Sequence, residues 1–77
     1  MDVKFILHGI LRDYLPRQAK GKSTLDLPAG ATIADALQAL DIKRTVNGTV
    51  NGVEVETDHV LQDGDEVQLF RPIGGGK

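Results

Sequence analysis

The sequence contains no cysteine. That excludes a disulfide framework, a thiolate nucleophile and a cysteine-based zinc site, so the usual staples of very small domains are absent and the core has to hold by packing alone. Long apolar runs are also missing. The early "FIL" at residues 5 to 7 is far too short to cross a bilayer, and no basic start precedes a longer one, so neither a membrane span nor a targeting segment is expected. Only two histidines occur, His8 and His59, far apart in sequence, and with no cysteine beside them they give no basis for a metal or acid-base centre. No serine stands in a recognisable nucleophile setting. These absences argue against a catalyst and predict a cytoplasmic protein that binds no metal and no cofactor.

What is present fits one small domain. The chain has 77 residues, 40% hydrophobic and 26% charged, which is ordinary globular usage with material for a single modest core. A net charge of −2 argues against a nucleic-acid binder, and the local basic stretch Arg12, Arg17, Lys20 and Lys22 reads as a solvated loop.

Alternation in "VKFILHG" places Val3, Phe5 and Leu7 on one face of a strand and Lys4, Ile6 and His8 on the other. "ILRDYLP" can make about one helical turn before Pro16 ends it. "STLDLP" alternates again, with Ser23, Leu25 and Leu27 on one side. Thr32 is the expected N-cap of a helix, supported by Asp35 three residues on, and Ile33, Ala36, Leu37 and Leu40 recur at helical spacing to form its apolar face. Two Asn-Gly pairs follow, at 47–48 and 51–52. Asn51-Gly52 is the expected type I′ turn between strands at about Thr45–Val50 and Val53–Glu56. Asp63-Gly64 then turns the chain into a last strand, Glu66 to Pro72, with Val67 and Leu69 facing one way and Gln68 and Phe70 the other.

The order predicts an α+β fold: a mixed sheet of about five strands with one main helix packed on one face, the first and last strands lying side by side in the middle. That arrangement is a β-grasp, the ubiquitin-like roll, spanning residues 1–72, followed by a flexible glycine-rich tail at 73–77. Phe5, Leu7, Leu25, Leu27, Ile33, Leu37, Leu40, Val67 and Leu69 are its expected core.

Three further signals are decoys. "GKST" at residues 21 to 24 resembles the end of a P-loop, but the first glycine of that motif is replaced by Pro16. Asp63, Asp65 and Glu66 lie too close together to wrap a calcium ion, so they read as a solvated turn. Asn47-Gly48-Thr49 matches a glycosylation acceptor in a chain with no sign of secretion.

The ending "LFRPIGGGK" is the segment with a use. Glycine has no Cβ, so a glycine strand can enter a slot too narrow for any side chain. Ile73 to Gly76, extended at roughly 3.3 Å per residue, reach about 13 Å, enough to carry a carboxyl group from a domain surface into another protein's active site.

The elements "VKFILHGILRDYL", "LPAGATIADALQAL", "VNG" and "LQDGDEVQLFRPIGGG" resemble the MoaD/ThiS sulfur-carrier proteins, prokaryotic β-grasp relatives of ubiquitin, over nearly the whole chain. The resemblance implies that the C-terminal glycine is adenylated by an E1-like enzyme of the MoeB/ThiF type, which uses ATP, and is then converted to a thiocarboxylate. It places the thiocarboxylate on Gly76, after Gly74 and Gly75. Ile6 and Phe70 fall on the face away from the helix, on strands expected to be adjacent, and form an exposed apolar pair that is a candidate docking site; with Arg71, Pro72 and Ile73 they make up the expected partner surface. The resemblance also implies a sulfur-accepting synthase, and a processing protease if residues follow Gly76.

Arg71 stands where molybdopterin-type members often carry an apolar residue or proline. Lys77 lies beyond the diglycine and is expected to be removed before activation. It is a cloning remnant, a native extension, or the mark of a lost carrier role. The resemblance in the tail favours the molybdopterin pathway, and thiamin, cysteine and tRNA thiolation pathways also fit. A ubiquitin-like modifier joined through Gly76, and a non-covalent β-grasp interaction module, stay open as alternatives.

Overall fold

The computed structural model describes residues 1–71, with the backbone alone at Arg17. Strand β1 (Asp2–Leu7) follows from its alternation: Val3, Phe5 and Leu7 are buried, while Asp2 and Lys4 are exposed. The chain then makes the expected helical turn before Pro16, as a 3-10 helix, Gly9–Tyr14, and Leu11 is its one buried residue. A second short 3-10 segment, Arg17–Ala19, leads into β2 (Lys22–Asp26). The basic stretch is therefore only partly a loop, since Lys22 opens a strand. No helix follows "GKST" until residue 33, so Gly21 to Thr24 form no phosphate cradle.

Helix α1 (Ile33–Ala39) starts as expected and is better fastened than the sequence required. The Asp35 N–H donates to Thr32 Oγ1 (3.3 Å), and Thr32 N–H donates to Asp35 Oδ2 (2.9 Å), a reciprocal capping box. Its end carries a Schellman motif with aspartate in the usual glycine place. Asp41 adopts φ 59°, its N–H donates to the Gln38 carbonyl (3.1 Å), and the Ile42 N–H donates to the Leu37 carbonyl (2.9 Å). Ile42 is thereby returned to the core.

Strands β3 (Asn47–Val50) and β4 (Val53–Val55) are joined at Asn51-Gly52, where φ is 52° and 88°, as a type I′ turn demands. Both strands are shorter than their predicted ranges. The other Asn-Gly pair lies inside β3 for a different reason: a Cβ on Gly48 would stand 3.1 Å from Leu69 Cδ2 and 3.6 Å from Ile33 Cδ1. The helix and β5 (Glu66–Phe70) close over that backbone.

The sheet order is β2-β1-β5-β3-β4. β1 and β5 run parallel at the centre, with Phe5 opposite Val67 and Leu7 opposite Leu69; the other pairings are antiparallel. This is the expected mixed five-stranded sheet with one helix on one face.

The acidic cluster before β5 consists of fasteners. Asp63 Oδ1 accepts from the Asp2 N–H (2.8 Å), Asp65 Oδ2 from the Gln62 N–H (2.8 Å), and Asp65 Oδ1 from Asn51 Nδ2 (3.1 Å). These bonds tie the turn to the start of β1 and to the β3–β4 hairpin.

Six of the nine expected core residues are buried, but Leu25, Leu37 and Leu40 are only half-buried. Leu25 lies on the edge strand β2, and α1, with seven residues, buries only Ile33 and Ala36. Connecting segments fill the difference with Leu11, Ala31, Ile42, Val46 and Leu61, each buried. Replacing Leu11 by alanine is therefore expected to cost about 2–5 kcal/mol and Leu37→Ala less than about 2 kcal/mol. Urea denaturation of both variants checks this; equal midpoint shifts would contradict the assignment of Leu11 to the core and Leu37 to its border.

Candidate functional site

The tail follows β5, so the geometry at the end of that strand is the described part of the site. β5 is held on both sides up to its last residue: Leu69 is in register with Leu7 of β1, and Phe70 with Asn47 of β3. The His8 N–H donates to the Leu69 carbonyl (3.0 Å), continuing the ladder one residue beyond β1. Strands paired on both sides resist fraying, so β5 is a fixed strand in the middle of the sheet up to Phe70.

On the face opposite α1, Ile6 is in register with Gln68, and Phe70 lies one pleat farther along β5. His8 joins them. Its Nε2 is 2.9 Å from Gln68 Oε1, and its ring packs against Phe70 with centroids 5.9 Å apart and planes at 44°. The alternation that put His8 beside Ile6 was the signal for this contact, although the sequence assigns it no chemistry. Ile6 and Phe70 are half-buried, less open than the exposed apolar pair expected, with Gln68 in register with Ile6 and the His8 ring against Phe70. Arg71 is exposed and outside the strand. Pro72, Ile73, Gly74, Gly75, Gly76 and Lys77 lie outside the described residues.

The large apolar side chains most open to solvent are elsewhere: Ile10 (42%), Tyr14 (38%), Val53 (65%) and Val60 (52%). The first two were missed because a 3-10 turn with one buried residue exposes its other apolar positions, whereas an α-helical turn would have shared them with the core. Among the described residues, no group of three or more histidine or carboxylate side chains is placed to hold a metal ion, and no helix is long and apolar enough to cross a membrane. The described part of the site is thus a doubly paired strand end with an exposed Arg71 directly after it.

Comparisons with known proteins agree with that geometry. The profile of the ThiS family matches residues 14–76. A UPF0125 protein of Xylella fastidiosa (strain Temecula1 / ATCC 700964) is 48% identical over 50 residues, 61% of this chain and 62% of that protein, so the chain spans about three-fifths of that relative's length.

Among solved structures, a protein described as molybdopterin converting factor, subunit 1, from Pyrococcus furiosus superposes with a TM-score of 0.75 at 26% identity, covering 95% of this chain and 99% of that one. SAMP1 from Haloferax volcanii does so with a TM-score of 0.73 at 25% identity, covering 99% and 100%. With the strand order, the capped helix and a family match that runs from Tyr14 through Gly76, the chain belongs to the ThiS family of ubiquitin-like β-grasp proteins.

Proposed function

We propose that this chain is a sulfur carrier, itself without catalytic activity, whose working group is the main-chain carboxylate of Gly76. The observation that supports this most is that the family match extends through the diglycine Gly75-Gly76 and stops short of Lys77. A carboxylate is a poor electrophile because its charge repels nucleophiles. An E1-like enzyme of the MoeB/ThiF type overcomes this: the Gly76 carboxylate attacks the α-phosphate of ATP, pyrophosphate leaves, and an acyl-adenylate results. A sulfur nucleophile, from sulfide or a persulfide, then attacks the acyl carbon and AMP departs. With sulfide the product is the thiocarboxylate directly; with a persulfide a thiol must cleave the acyl disulfide to release it.

The likeness to a molybdopterin converting factor subunit favours a molybdopterin-type synthase as the sulfur acceptor. The carrier supplies the rigid mount at Phe70 and the side-chain-free reach of Gly74, Gly75 and Gly76. A second reading, conjugation of Gly76 to lysines of other proteins, is favoured by the likeness to SAMP1, which H. volcanii nomenclature calls small archaeal modifier protein 1. Both readings pass through the same adenylate.

Whatever follows Gly76, Lys77 included, must be removed first, because only then is the Gly76 carboxyl free. With Lys77 attached, the lysine ammonium would have to lose water in a channel shaped for glycine, which is costly without a partner. In ATP–pyrophosphate exchange with the organism's own adenylating enzyme, the form ending at Gly76 should exceed the form ending at Lys77 by at least about a hundredfold. Comparable exchange by both would overturn this. A Gly76→Ala version of the shorter form should make little thiocarboxylate; full activity there would remove the argument from the missing Cβ.

The surface at Ile6 and Phe70 is proposed to dock on the adenylating enzyme, together with Arg71, Pro72 and Ile73. Phe70→Ala should raise KM for the carrier roughly tenfold, the scale of losing one interface anchor. An unchanged KM in a variant that still folds would move the interface elsewhere.

A further inference from the structure

We propose that the corner of the sheet where β1 and β5 end and β2 begins is a cationic docking surface for an acidic protein surface, namely the rim of the site on the adenylating enzyme that receives the tail. The inference rests on the carrier reading for the identity of that site, and on the distribution of charge for its chemistry. A net charge of −2 conceals a separation along β2, β1 and β5.

β1 and β5 run parallel from Asp2 and Glu66 at one end to Leu7 and Phe70 at the other. β2 runs back, setting Asp26 against Asp2 and Lys22 against Ile6. The start of the sheet therefore gathers Asp2, Asp26, Asp63, Asp65 and Glu66, with Lys4 in register with Glu66. The tail end gathers Arg12, Lys20, Lys22, Arg44 and Arg71. β4 runs toward the same end: Glu54, opposite Thr49, stands level with Gln68, Ile6 and Lys22, and Glu56 follows it, so the cations are concentrated on the β2-β1-β5 side of the tail end, with β3 between β5 and these carboxylates.

Two adjoining clefts give this end its shape. Arg12 and Lys20 line one of about 360 Å³ with Leu15 and Pro16; Arg44 lines a second of about 340 Å³ with Ile10 and Tyr14. Asp13 lies between them and borders both. The ion pairs among the described residues are Met1 with Asp26 and Lys43 with Asp41, so Arg12, Lys20, Arg44 and Arg71 have no carboxylate partner among those residues.

Exposed Ile10 and Tyr14 beside unpaired cations match the apolar centre and charged rim of a protein interface. A nucleic acid fits less well: its phosphates need an extended basic track, and here Asp13 interrupts the patch and the opposite end of the same sheet is acidic. Complementary charge of this kind acts mainly on the rate and orientation of encounter, which would bring the tail to its channel end-first.

The test uses the form ending at Gly76 and the organism's own adenylating enzyme in ATP–pyrophosphate exchange, from about 50 to about 300 mM NaCl. The variant Lys20→Glu with Arg44→Glu should lower kcat/KM at least tenfold or so at low salt, leave kcat unchanged and flatten the salt dependence. Lys4→Glu, a charge reversal at the other end, should stay within about twofold of the parent. Equal effects at the two ends, or no salt dependence in the parent, would overturn the proposal.

A second arm needs no enzyme. In NMR titrations, hexaglutamate should shift the amides of residues 9–22, 43, 44 and 71, and hexauridylate RNA should bind more weakly at the same salt. Shifts scattered over the molecule, or tighter binding of the RNA, would also overturn it. If the parent supports no exchange at all, the carrier reading fails, and the titration alone decides the cationic surface.

Discussion

The parallel pairing of β1 with β5 is the constraint from which the rest follows. It joins the two ends of the described chain in the centre of one sheet, with Phe5 against Val67 and Leu7 against Leu69, all buried. Parallel neighbours cannot be joined by a tight turn, so the chain between them has to cross over, and that crossover contains the helix that covers the sheet. The same pairing places the last strand between two partners, so β5 is hydrogen-bonded on both sides up to Phe70. A ubiquitin-like mount is thus a consequence of which strands are central.

Local chemistry was legible where it is local. Thr32 with Asp35 specified the helix start, Asn51-Gly52 specified the hairpin, and the alternation of Val3, Phe5 and Leu7 specified the buried face of β1. Burial that depends on distant partners was not. Leu25 has the right spacing but sits on an edge strand; Leu37 and Leu40 have helical spacing but lie at the border of a helix too short to cover the sheet. Leu11 and Leu61 have no periodic neighbours to announce them: Leu11 is the one buried residue of a 3-10 helix, and Leu61 is buried in the segment before β5, where its N–H donates to the Ala31 carbonyl. Asp41 in a left-handed conformation also escaped notice, since glycine is the expected signal at that place.

The candidate site divides in the same way. Phe70 and Ile6 were assigned to one face by period-two alternation alone, and the register places them there, half-buried beside His8 and Gln68. The role of Gly76 was read from composition and from a family resemblance, and the family match runs through it. On the proposed carrier reading the folded part would hold and orient the chain end, and bond making and breaking would belong to the main-chain carboxyl and the enzymes that act on it. Carboxylates that look like a cation site in the sequence serve as fasteners of the turn before β5, which keeps that strand in register.

The most direct test of the central claim is the intact mass of the protein isolated from its own cells without reductant or alkylating reagents. The account predicts a species that ends at Gly76 with one carboxyl oxygen replaced by sulfur, and its loss when the adenylating enzyme is deleted. A population consisting only of chains that retain Lys77 with every oxygen in place would contradict it.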